Sequence, residues 1–191
     1  MTEQVVSEFL AARRPRRTDA ARNFDALLAA AREAFAEHGA EASLEDIARR
    51  AGVGIGTLYR NFPTRRHLFE TVYADEVGEL SLAADELAAE PPWEALSDWL
   101  RRFVAHTLTK RAIREALAGE ETEVFVACRR LMYDASAPLL HRAQAAGEVR
   151  ADMSIDDLLR LVSGVGSVSF ADEKQRDRVL SIALDGIRTT A

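Results

Sequence analysis

Between Ser43 and Pro63 the chain reads Ser-Leu-Glu-Asp-Ile-Ala-Arg-Arg-Ala-Gly-Val-Gly-Ile-Gly-Thr-Leu-Tyr-Arg-Asn-Phe-Pro, and this stretch limits the fold more than any other. Glycines at 52, 54 and 56 mark a tight turn, and Pro63 disfavours helical geometry in the residue before it. Two short helices fit between these marks. The first opens at Ser43, with Asp46 three residues on as a variant of a capping box. It turns Ile47, Ala48 and Ala51 inward and stops at Gly52. The second starts near Ile55 and puts Leu58 and Phe62 on one face. Small Ala48 lets the two cross closely over a miniature core of Ile47, Val53, Leu58 and Phe62. This is the outline of a helix-turn-helix, whose second helix lies in the DNA major groove.

The rest of the sequence predicts an all-α fold of about nine helices. Phe24, Leu27, Leu28, Ala31 and Phe35 recur at helical spacing before Gly39. Thr64 caps a helix carrying Leu68, Phe69, Val72, Leu80 and Leu87, which ends at Pro91-Pro92. Further helices are expected around Trp93–Val104, around Ile113 and Leu117 ahead of Gly119, and from Val124 to Leu139 with a break or kink at Pro138. Two more follow, one with Ile155, Leu158, Leu159 and Val162, the other with Val179, Ile182, Ala183 and Ile187. No stretch alternates like a strand and no repeat recurs. The expected domains are a flexible basic arm over 1–18, a three-helix DNA-binding domain over 19–66, and a helical ligand-binding and dimerisation domain over 67–191.

Charge supports that division. The chain carries a net −6. From Arg13 to Glu70, 11 Arg face 8 acidic residues, a net of +3; elsewhere 14 Lys or Arg face 23 acidic residues, a net of −9. A basic module joined to an acidic one is the expected pattern. The outward face of the second short helix presents Gly56 and Arg60, flanked by Thr57, Tyr59 and Asn61. Gly56 costs a helix about 1 kcal/mol relative to Ala. Close approach to a base edge or phosphate is a reason to keep it. Thr57, Tyr59 and Asn61 can donate to phosphates, Arg60 can neutralise a phosphate or read guanine, and Ile55 can touch a thymine methyl. Ser43 and Arg65 complete the set of DNA-facing candidates read from the residues, with Arg66 beside Arg65.

At these residues the chain resembles the TetR family of transcriptional regulators. The resemblance rests on Ile47-Ala48, Ala51-Gly52-Val53, Gly56-Thr57-Leu58-Tyr59, Phe62-Pro63 and Leu68, and covers roughly Phe24 to Val72. It implies an operator-binding homodimer, usually a repressor released by a small molecule held in the C-terminal domain. It also implies DNA contact from Gly54, Ile55, Gly56, Thr57, Tyr59, Asn61 and Arg65. The family often has Ser or Thr in place of Gly54, and Lys in place of Ile55, so a hydroxyl and a cation are missing here. The segment from Pro92 through Trp99-Leu100-Arg101-Arg102-Phe103 to Gln144–Val149 is similar to the SbtR-like subgroup.

In the C-terminal half, Trp99, Phe103, His106, Phe125, Cys128, Met132 and Tyr133 are the candidate lining of a ligand pocket, His106 and Tyr133 being the polar groups that orient a ligand. Taken singly, each apolar member reads first as ordinary core. Small residues Gly164, Gly166, Ser167, Ser169, Ala183 and Gly186, set among Val162, Val165, Val179, Ile182 and Ile187, predict a four-helix dimer interface from the last two helices. The expected partners are therefore a double-stranded operator, a small-molecule effector and a second copy. Lone Cys128 and four dispersed histidines predict no disulfide and no metal. No apolar run is long enough to span a membrane and no secretory signal is read, so the expected location is cytoplasmic. No nucleophile elbow, phosphate-cradling loop or dinucleotide fingerprint suggests an enzyme, and no cofactor is expected.

Overall fold

In the computed structural model, which describes residues 2–116, 122–168 and 170–189, helix follows helix. They are α1 (Thr2–Arg13), α2 (Thr18–His38), α3 (Leu44–Arg50), α4 (Ile55–Asn61), α5 (Arg65–Leu87), α6 (Pro92–Ala116), α7 (Glu123–Ala145), α8 (Ile155–Ser167) and α9 (Glu173–Asp185), with one 3-10 turn over Gly39–Glu41. Among the described residues the only β pairing is an isolated bridge between Val149 and Arg188. About nine helices were expected and nine are found among the described residues, but the membership differs at two places.

The first difference is α1. The arm expected to be loose is helical from Thr2 to Arg13. Val6, Phe9, Leu10 and Arg13 fall at helical spacing, and Val6 is fully covered. Leu10 lies against α5, its Cδ1 3.9 Å from where a Cβ on Gly78 would stand. The Arg13 guanidinium sits 3.5 Å from the Phe9 ring centroid and 4.0 Å from Glu70. The second difference is α6, a single helix through the two segments expected to be separate; Leu117 and Gly119 lie outside the described residues. Pro92 opens it at the first helical position, where its missing N–H costs nothing. α7 likewise continues through Pro138.

The chain forms two compact units: Met1–Gly78 with Leu108–Arg129, and Glu79–Thr107 with Arg130–Ala191. The divisions cut α5, α6 and α7, so they do not coincide with the boundary read after Arg66. In the first unit, α2 supplies Phe24, Leu27, Leu28 and Phe35 to the core, joined by Ile47, Leu58, Phe62 and Phe69. Phe24 meets Phe62 with ring centroids 5.1 Å apart, and Phe35 stacks on Phe69 at 4.2 Å. In the second unit, buried Trp99 stacks on Phe103 at 5.5 Å, and its indole N–H donates to the Leu80 carbonyl at 2.9 Å.

α8 and α9 pack on each other in the second unit, with Leu158, Leu159, Val162, Leu180 and Leu184 buried. A reciprocal capping box between Ser154 and Asp157 starts α8. Val162 and Ile187, expected on a partner-facing surface, are buried within the chain. Of the expected set, Val179 and Ile182 on α9 are exposed, and Leu161 on α8 and Val168 just after it are exposed as well. Gly164 is exposed between the first two, Gly166 is buried, and Ser169 lies outside the described residues.

Candidate nucleic-acid interface

The Ser43–Pro63 segment folds as its local chemistry dictates. Ser43 Oγ accepts the Asp46 amide at 3.3 Å and donates to Glu45 at 2.9 Å. Only half of the expected capping box forms, because the Asp46 carboxylate turns to Arg49 and Arg50 instead. The turn is closed by backbone bonds from Gly52 N–H to the Arg49 carbonyl (3.1 Å) and from Val53 N–H to the Ala48 carbonyl (3.0 Å). These leave Gly52 at φ +70°, where a side chain would clash with its own backbone. Phe62 is extended ahead of Pro63, and Thr64 Oγ1 accepts the His67 amide at 3.2 Å to begin α5.

One face of α4 is buried through Leu58, with Phe62 just beyond it. The other is open. Ile55, Gly56, Tyr59 and Arg60 are exposed and Thr57 and Asn61 half-buried. Tyr59 is 47% exposed, so its ring is not spent on the core. Apart from its chain neighbours and the backbone of α4 itself, no atom of the described residues lies within 4 Å of where a Gly56 Cβ would stand. Packing within the molecule therefore gives no reason for a glycine at that point. Arg60 donates to Thr57 Oγ1 and Asn61 to the Thr57 carbonyl, each at 2.8 Å, which holds the polar side chains in one layer along the helix.

Arg50 and Arg65, by contrast, are occupied internally. Arg50 reaches Asp46 at 2.7 Å and Glu37 at 2.6 and 3.0 Å, tying α3 to the end of α2. Its hydrogen bonds hold both carboxyls below their ordinary values, and theirs raise its own. Arg65, expected on phosphate, donates to the carbonyls of Ala40 and Ala42 and lies 5.4 Å from the Phe69 ring centroid. It braces the start of α5 against the loop before α3. Ser43, also expected at the DNA, has its hydroxyl engaged as a cap.

The pocket candidates are spread over both units. Trp99, Phe103, His106, Met132 and Tyr133 belong to the second, Phe125 and Cys128 to the first. Phe125 lies 5.1 Å from Tyr73, centroid to centroid, and Tyr133 donates to Asp156 at 2.5 Å. Cys128 is buried, and loss of solvent pushes its thiol up to about 12, so it stays protonated and unreactive. Among the described residues no group of carboxylates, imidazoles and thiols is arranged to hold a metal. No described helix is long and apolar enough to cross a membrane.

Residues 27–72 match the bacterial regulatory proteins of the tetR family, and residues 91–189 match the C-terminal domain of SbtR-like transcriptional regulators. Among solved structures, a TetR transcriptional regulator from Streptomyces coelicolor is 42% identical, with 87% of this chain and 99% of that chain covered and a TM-score of 0.72. A TetR transcription regulatory protein from Mycobacterium vanbaalenii is 35% identical, with 92% and 100% covered and a TM-score of 0.70. The ketosteroid regulator KstR2 of Mycobacterium tuberculosis shares the fold at 19% identity, with 88% and 96% covered and a TM-score of 0.58.

Proposed function

The chain belongs to the TetR family of transcription regulators and carries that family's DNA-binding helix-turn-helix, and on that premise we propose that it is a repressor released from a palindromic operator by a small molecule. The observation that carries this reading is the open outer face of α4, polar and uncluttered around Gly56 while its inner face is fully packed. An α helix inserted in the major groove needs that division. Thr57, Tyr59 and Asn61 hold phosphates, Arg60 reads guanine or a phosphate, and Ile55 meets a thymine methyl. Gly54 and Gly56 let the backbone come close. Arg65 and Ser43 act behind this surface, keeping α4 at its angle.

The operator-bound form is a two-fold dimer joined through α8 and α9, whose exposed apolar stripe of Leu161, Val168, Val179 and Ile182 a second copy covers. Each recognition helix takes one half-site, the two about 34–36 Å apart or slightly more. The effector binds in the second unit, where His106 and Tyr133 supply polar groups among Trp99, Phe103 and Met132. It releases DNA only by preferring the form whose recognition helices are misplaced; about a hundredfold release needs about a hundredfold preference. The protein works beside the chromosome, in the cytoplasm.

Selection from a pool of random duplexes at low salt tests the reading. The expected product is an inverted repeat with two-fold symmetry, bound by one dimer. A pool without an enriched repeat overturns it.

A further inference from the structure

The four arginines around Pro15 divide into two pairs. Arg13 faces Glu70 at 4.0 Å, and Arg14 makes a two-pronged ion pair with Asp25 at 2.9 and 2.6 Å. That fork holds the Asp25 carboxyl below its ordinary value and raises the guanidinium. With Val6 buried and Leu10 against α5, these contacts fasten the end of α1 to α2 and α5. Beyond Pro15, Arg16 and Arg17 are exposed and make no ion pair among the described residues. The clamp thus ends just ahead of Arg17, which stands exposed at the cap of α2.

That place adjoins the reading helix. A cleft of about 370 Å³ has Arg17, Asp19 and Asn23 on one side and Thr57, Arg60 and Asn61 on the other. The Asp19 carboxylate is paired with Arg22 at 3.0 Å, so the charge left over belongs to Arg17 and Arg60. Arg60 gives one of its donors to Thr57 and keeps the rest. A phosphodiester finds two guanidiniums, which match its oxygens in pairs, and the side-chain amide of Asn23.

We propose that this cleft is a second DNA-binding site, in which Arg17, Arg60 and Asn23 grip a backbone phosphate beside the groove that α4 enters. α1 and the Arg14–Asp25 pair act as the clasp that positions Arg17. The inference rests on the DNA-binding reading above and extends its footprint to the chain ahead of α2. The site contributes affinity and salt dependence without sequence preference, because a phosphate carries no base information.

The test uses the full chain and its selected operator across a salt series, with R17Q, R17K and R14Q variants. Each lost phosphate contact lowers the slope of log affinity against log salt by about 0.9, so R17Q in a dimer lowers it by about 1.8. R17Q is expected to weaken binding about tenfold or more at physiological salt, with an unchanged melting temperature and an unchanged consensus. R17K restores most of the slope. R14Q, which loosens the clasp, gives an intermediate slope. An R17Q protein with wild-type affinity and slope overturns the proposal while leaving the operator reading intact; a wild-type protein that binds no duplex overturns the operator reading itself. R14Q with a wild-type slope overturns the clasp.

Discussion

α4 and the α8–α9 pair each leave one face open to solvent, and the two faces are opposite in character. On α4 the open surface is polar and cationic, with a glycine where a side chain would stand out. On α8 and α9 it is apolar, and Ile182 is 70% exposed. An apolar stripe is covered at a profit in solvation free energy by any matching apolar surface, which suits a copy of the same chain. A polar surface gains little from such burial and needs a charged, hydrogen-bonding partner of defined shape. On the proposed reading, one molecule addresses two partners through two kinds of physics.

The comparison breaks most visibly at Ile182. In Ile182→Asp a carboxylate stands in the proposed dimer seam and meets its own copy across the two-fold. The expected result by sedimentation equilibrium is a monomer with a near-wild-type melting temperature. Operator affinity then falls about a hundredfold or more, since the two half-sites are no longer linked. A dimer that still binds DNA places the interface elsewhere. Next in size is the contrast between neighbours on α4. Leu58→Ala empties a fully buried site and is expected to cost about 2–5 kcal/mol in urea unfolding. Tyr59→Ala, on the open side, stays within about 0.5 kcal/mol in stability yet weakens operator binding. Equal stability losses at the two positions contradict the assignment of faces.

A smaller effect follows from the ion pairs that brace the first unit. Asp25, Glu37 and Asp46 all titrate lower in the folded chain than in the unfolded one, first because of hydrogen bonds from Arg14 and Arg50. Their contribution is therefore complete above the unfolded carboxylate range, near pH 4, and is lost as pH falls through their folded values. Unfolding midpoints measured from pH 6 downward are expected to drop below about pH 4. Glu37→Gln flattens that drop. The mildest prediction concerns Cys128: a thiol held at about 12 inside the core reacts with a disulfide reagent at neutral pH only as fast as the chain opens.

The reading head was legible in the sequence because its signals are local. Gly52, Pro63, Ser43 and Thr64 act on the backbone beside them, and Leu58 and Phe62 need only a helical period. What escaped was set by distant partners. Arg13 and Arg14 look like a solvated tail until Glu70 and Asp25 are brought to them. Arg65 looks free until the Ala40 and Ala42 carbonyls appear beneath it. On α8 Leu161 and Val162 are adjacent and both apolar, so the pattern alone could not say which faces inward; packing against α9 chose Val162. The continuity of α6 was hidden for the same reason, because helix length is decided by tertiary contacts as much as by propensity.

Gly56→Leu probes the open face of α4 most directly. Because nothing in the chain occupies that space, the variant is expected to fold normally, its melting temperature equal to or above wild type. The added side chain holds the helix away from the groove, so operator affinity, read by fluorescence anisotropy, falls about a hundredfold or more. Wild-type affinity in a folded Gly56→Leu dimer would mean that DNA does not approach this surface, and the regulatory account would fail with it.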